Sequence, residues 1–150
     1  MTACPLTACV FHGARAKLFI DDQSAVCREM TGETNSITFT RSKNNPEYTV
    51  MGSFNPRRIS GIRDATIDVT SVFDAAGSPE NIVPLLDEMF AGSLISRVQL
   101  APGGSVSGLP IYTASMLLNN YAVNIPVDGI VTLTYSLALA AGSVTAACQS

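Results

Sequence analysis

The chain has 150 residues, four cysteines and a formal net charge of −3, with 14% charged residues against 47% hydrophobic. That length fits one domain with a sound core, and the negative charge argues against a general nucleic-acid binder. An ordinary soluble domain has about 25% charged residues, so this chain has too little charge to cover its surface, leaving membrane insertion or burial against partners.

Residues 1–14 have weak periodicity and one proline, and read as an extended arm. Arg15 follows the short apolar piece instead of preceding it, which argues against a secretory signal. The main domain is expected over 15–140, with a short tail at 141–150. Lys17–Ile20 reads as a short strand ending at an Asp21-Asp22 turn, and Ser24–Met30 as a strand or a turn of helix. Ser36–Thr40 alternates, with Ile37 and Phe39 on one face. Lys43-Asn44-Asn45-Pro46 is strong turn chemistry. Tyr48–Phe54 reads as a strand, Asn55-Pro56-Arg57-Arg58 breaks it, and Gly61 closes a second turn. Residues 41–62 therefore form a long protruding loop or hairpin, a natural interaction arm.

Charge is uneven along the chain. Arg41, Lys43, Arg57, Arg58 and Arg63 are opposed between 41 and 63 by Glu47 alone, a net +4, so the net −3 of the whole leaves −7 elsewhere. Opposed patches on one subunit suit head-to-tail stacking. A solvated basic loop is the other reading.

The strand Thr66–Phe73 places Ile67, Val69 and Phe73 on one face and Thr66, Asp68, Thr70 and Val72 on the other. A helix follows over 81–91. Its apolar stripe is Ile82, Leu85, Leu86, Met89 and Phe90, at helical spacing. With Asn81 as N-cap, Pro84 falls where the first N–H groups have no partner in any case, and Gly92 suits the end. Leu94–Ala101 is a strand and Pro102-Gly103-Gly104 a turn. Ile111–Leu118, Tyr121–Ile125 and Ile130–Leu139 complete about eight strands. The fold class is mainly β: a sandwich or part-barrel with one flanking amphipathic helix.

No charge follows Asp128, so the end of the chain is long enough to span a bilayer, which takes about 20 apolar residues. Ile130–Leu139 instead alternates, with Val131, Leu133, Tyr135, Leu137 and Leu139 against Thr132, Thr134 and Ser136. That is strand periodicity, interrupted after it by Gly142-Ser143, and no membrane insertion is expected.

Residues able to carry catalysis are scarce. His12 is the only histidine and lies in the arm, so a Ser-His-Asp site would have to be built around it. Asp21-Asp22 and Asp87-Glu88 read as a turn and an exposed helix face. Cys4, Cys9, Cys27 and Cys148 form no C-x-x-C and have no His pair nearby, so zinc is not expected; buried free thiols are. Ala101-Pro102-Gly103-Gly104-Ser105 lacks the Lys of a phosphate loop and reads as a hairpin turn. There is no Trp, hence no base-stacking platform. Neither an enzymatic activity nor a cofactor is expected.

Three stretches together resemble the tail tube proteins of long-tailed bacteriophages. They are Gly61-Ile62-Arg63-Asp64 leading a strand that ends in Phe73-Asp74, Leu85-Leu86-Asp87 running to Gly92, and Ile125-Pro126-Val127-Asp128-Gly129 with Val131-Thr132. The resemblance covers about residues 36–140. It implies a structural virion protein, assembled in the host cytoplasm, whose six-membered rings stack into a hollow tube. A tape measure protein would lie inside, with tip and terminator proteins at the ends. DNA must then slide through without being gripped. A lumen lined by Thr66, Asp68, Thr70, Thr132, Thr134 and Ser136 would satisfy this, because cationic linings hold phosphates through counterion release. Arg57 or Arg58 would pair with acids of the adjacent ring. A tail terminator, the tube of a contractile system, and a monomeric β-sandwich binding module are the competing readings.

Overall fold

The computed structural model describes residues 13–21, 26–73, 82–92, 95–104 and 107–149. The arm through His12, Asp22, the stretch from Asp74 to the cap at Asn81, and Ser150 lie outside these residues. Among them, the chain forms β1 (Lys17–Asp21), β2 (Cys27–Glu29), β3 (Thr34–Lys43), β4 (Glu47–Tyr48), β5 (Arg57–Arg58) and β6 (Arg63–Val72). Then come helix α1 (Ile82–Gly92), β7 (Ser96–Ala101), β8 (Pro110–Asn124) and β9 (Thr132–Cys148). Seven strands make one antiparallel sheet in the order β2-β1-β7-β8-β9-β6-β3, and β4 pairs with β5 alone.

Burial fixes the shape of the sheet. Leu18 and Ile20 on β1 and Val69 on β6 are each 0% exposed, though three strands separate β1 from β6. A flat sheet of seven strands is about 29 Å wide, and a helix of 11 residues is only about 16 Å long. One such helix cannot cover that face. The sheet therefore curls round its own apolar side, a part-barrel with β2 and β3 as its edges. Val98, Met116, Leu133, Tyr135 and Leu137 fill the interior, with Leu85, Leu86 and Met89 of α1 packed onto it.

Several boundaries differ from the sequence reading. Ile111–Leu118 and Tyr121–Ile125 are one strand: register shifts between Leu118 and Asn120 keep the ladder to β9 while reversing which side chains face inward. Met116 and Leu118 face the core before the shift and Tyr121 faces it after. The tail drawn at 141 is the end of β9, whose hydrogen bonding to β8 runs to Cys148. Gly142, at φ 74, absorbs the irregularity there. Tyr48–Phe54 pairs only at Glu47–Tyr48, because the chain turns at Met51-Gly52 with Gly52 at φ 85. Neither cysteine among the described residues is the expected buried free thiol: Cys27 is free and exposed, and Cys148 is disulfide-bonded. Cys4 and Cys9 lie outside the described residues.

Phe90 does not join the buried stripe of α1. It is 68% exposed, one position beyond Met89 on the helical wheel, and stands edge-on to Tyr121 with centroids 5.8 Å apart. The Tyr121 hydroxyl donates to Asp87 Oδ1 at 2.7 Å, a second tie between α1 and β8. The side chain of Ile82 lies outside the described set. The hydrogen bond to Asp87 holds the Tyr121 phenol above its ordinary value. A raised phenol value means that this contribution is complete below the unfolded value near pH 10 and is lost as pH rises through the folded one. Asp87→Asn is expected to move the ionisation of Tyr121 to lower pH, followed through the NMR signals of its ring.

Gly61 is required where the hairpin leaves the sheet. A Cβ there would collide with the Asn44 carbonyl oxygen, in a junction closed by Asn44 N–H donating to the Ile62 carbonyl at 2.8 Å and Ile59 N–H to that of Pro46 at 3.0 Å. Backbone has to move to admit a methyl. Gly61→Ala is expected to cost about 2 kcal/mol or more, read as a lowered urea midpoint at unchanged slope.

Candidate functional site

The outer face of β6 and of the strands beside it is built from small polar residues. On β6, Ala65, Ile67, Val69 and Ser71 turn inward, which sends Asp64, Thr66, Asp68, Thr70 and Val72 outward. Cross-strand register extends that face in both directions. Toward β3, Thr66, Asp68 and Thr70 stand opposite Thr40, Thr38 and Ser36. Toward β9, Asp68, Thr70 and Val72 stand opposite Ser136, Thr134 and Thr132. Beyond these lie Asn120, Ala122 and Asn124 of β8. The six proposed lumen residues thus share one continuous face. Across these four strands it carries the carboxylates of Asp64 and Asp68 and no lysine or arginine; farther round the sheet, β7 and β1 turn Arg97 and Lys17 outward, paired with Asp21 and Glu29.

The sequence reading missed the contributions of β3 and β8. The signal on β3 was the alternation Ser36-Ile37-Thr38-Phe39-Thr40. On β8 the shift at Leu118–Asn120 moves Asn120, Ala122 and Asn124 outward, and nothing in the local pattern marks it.

The basic residues gather where β3 and β6 meet the hairpin. Lys43 stands directly opposite Arg63 on the ladder, and like charges so placed repel. Arg41, Lys43, Arg63 and Asp64 line a cleft of about 250 Å³ together with Leu139 and Val144 of β9. Asp64 Oδ1 accepts from the Ala65 N–H at 2.8 Å. Arg58 pairs within its own hairpin, its guanidinium 3.1 Å from Glu47. Arg57 is exposed on the other hairpin face, opposite Tyr48.

Two apolar tips stand clear of the sheet. In the hairpin, Met51 is 105% and Phe54 102% exposed, with Ile59 and Ile62 beside them. In the turn between β8 and β9, Val127 is 100% exposed, flanked by Ile125 and Ile130. Exposed apolar residues in such groups mark contact surfaces. The signal for these tips in the sequence is a set of apolar residues placed among turn formers: Met51 beside Gly52, Phe54 beside Asn55-Pro56, and Val127 between Pro126 and Asp128-Gly129.

Among the described residues no group of three His, Cys, Asp or Glu side chains could hold a metal ion, and no helix is long and apolar enough to cross a membrane. The Cys27 thiol is pushed up by partial burial and by the Asp21 carboxylate, which disfavours the nucleophilic thiolate.

No family model matches the chain, and no curated protein matches it. Solved structures do. The tail of an empty gene transfer agent particle, solved with C6 symmetry, superimposes with a TM-score of 0.73 at 14% identity, covering 91% of this chain and 98% of that one. The SPP1 tail tube gives 0.74 at 10% identity, covering 93% and 80%. The sheath/tube terminator of an extracellular contractile injection system gives 0.67 at 13% identity, covering 97% and 100%. At such identities the likeness is one of fold: the chain has the mainly β, single-helix fold of tail tubes and injection-system tubes.

Proposed function

We propose that this chain is a structural virion subunit that polymerises as stacked six-membered rings into a hollow tail tube through which DNA passes. The observation that carries the reading is the outer face of β3, β6, β9 and the second half of β8, hydroxylated, faintly acidic and free of cations. A wall that must pass DNA has to avoid phosphate contacts, each of which releases counterions and holds the strand. The C6 symmetry of the gene transfer agent tail supports six copies per ring. Among the described residues β3 ends the sheet, which supports lateral joining of copies, since a sheet edge is a template for another strand. Assembly takes place in the host cytoplasm and the product resides in the virion tail, with a tape measure protein inside and tip and terminator proteins at its ends. The subunit has no catalytic role.

The likeness to a sheath/tube terminator supports a second reading, in which the chain closes one ring and stops. Electron microscopy of purified protein across a concentration series separates the two. Hollow tubes of uniform width are the expected result. Single rings would assign the terminator role, and a persistent monomer at high concentration would remove both.

A further inference from the structure

The two apolar tips leave the subunit at opposite ends of β6. The hairpin precedes Arg63, the first residue of that strand. The β8–β9 turn lies against its other end, where Val72 stands opposite Thr132 and the Phe73 N–H donates to the Val131 carbonyl at 3.0 Å. A strand of ten residues separates them by about 33 Å.

Charge differs between the two ends. The hairpin end carries Arg41, Lys43, Arg57, Arg58 and Arg63 against Glu47 and Asp64. No lysine or arginine follows Arg97 in the chain, so β8, the turn and β9 carry a single charge, Asp128. Helix α1, which rests on that half of β8 through Tyr121, adds Asp87 and Glu88 and no cation. One end is thus apolar and basic, the other apolar and acidic.

We infer that the hairpin tip of one copy, Met51 and Phe54, seats on the β8–β9 turn of the next, at Ile125, Val127 and Ile130, with Arg57 reaching toward Asp128. The occupant is a second copy of this chain. The two surfaces differ and sit at opposite ends, so the contact is heterologous and repeats without closing. It also removes from water the apolar side chains that each copy leaves exposed. Apolar contact provides the affinity, and the charges set which end meets which. The inference rests on the tube reading and adds to it the pair of surfaces that join one ring to the next.

The test uses two full-length variants, Phe54→Asp and Val127→Asp. Both positions are fully exposed, so each variant should melt at the parent's temperature, which circular dichroism checks. Alone, each is expected to raise the critical concentration for tube formation about tenfold or more, a shift of about 1.4 kcal/mol per contact. Mixed after separate purification, they should form discrete paired particles that do not elongate, because the intact turn of one receives the intact tip of the other. Tubes from either variant at the parent's critical concentration, or a mixture no different from its separate components, would overturn the pairing and leave the tube reading standing. A parent that forms no tubes at any concentration would remove the tube reading and the pairing with it.

Discussion

Lysines at Asp68 and Thr134 are expected to turn tubes that ignore duplex DNA into tubes that hold it. Both positions are exposed on the outer face, on adjacent strands and one register step apart, so the fold should accept the change. In a six-membered ring the substitutions place twelve lysines around the bore and remove six carboxylates. Each phosphate neutralised releases about 0.9 counterion, and about six contacts lose roughly a thousandfold in affinity between 50 and 200 mM salt. Co-sedimentation of labelled duplex with assembled tubes reads the effect directly. The double variant should retain DNA at low salt and release it at high salt, while the parent retains none at either. Equal, salt-insensitive retention by both would place the face elsewhere than the bore.

Leu137→Ala is expected to cost about 2–5 kcal/mol, the range for emptying a well-packed leucine site. Leu137 is 0% exposed and stands between Ile67 on β6 and Leu118 on β8 in the ladder, at the middle of the curl. Against a total stability of about 5–15 kcal/mol the loss is large, and the urea midpoint should fall accordingly. Leu139 offers an internal comparison. It is the same side chain two residues on, only partly buried against the core, and Leu139→Ala should cost distinctly less. Equal losses at the two positions would contradict the placement of the core.

Much of this was legible in the alternation of side chains. The Thr66–Phe73 and Ile130–Leu139 patterns each pointed to a strand with one apolar and one small polar face, and the sheet places the two polar sets on a common surface. Helix α1 was legible from Leu85, Leu86 and Met89. What the pattern lacked was information carried between strands. Register shifts fuse Ile111–Leu118 with Tyr121–Ile125 because hydrogen bonds to β9 continue through them, a fact about the partner strand and not about the local residues. The same holds for the end of β9: Gly142-Ser143 read as a break, yet β8 stays paired across it to Cys148. The pairing of Arg58 with Glu47 was not legible, because the hairpin register that sets them opposite cannot be read across eleven residues of sequence. Exposure of Met51, Phe54 and Val127 depends on how far their turns project from the sheet, which hydrophobicity alone does not tell.

The central claim is that the hydroxylated sheet face lines the bore of a tube. A helical reconstruction of assembled protein by electron cryomicroscopy tests it most directly. The account predicts six copies per ring, with Thr38, Asp68, Thr134 and Ser136 on the inner wall and no lysine or arginine among the residues that face the channel. A tube with this face turned outward or buried between rings, and cations lining its bore, would contradict it.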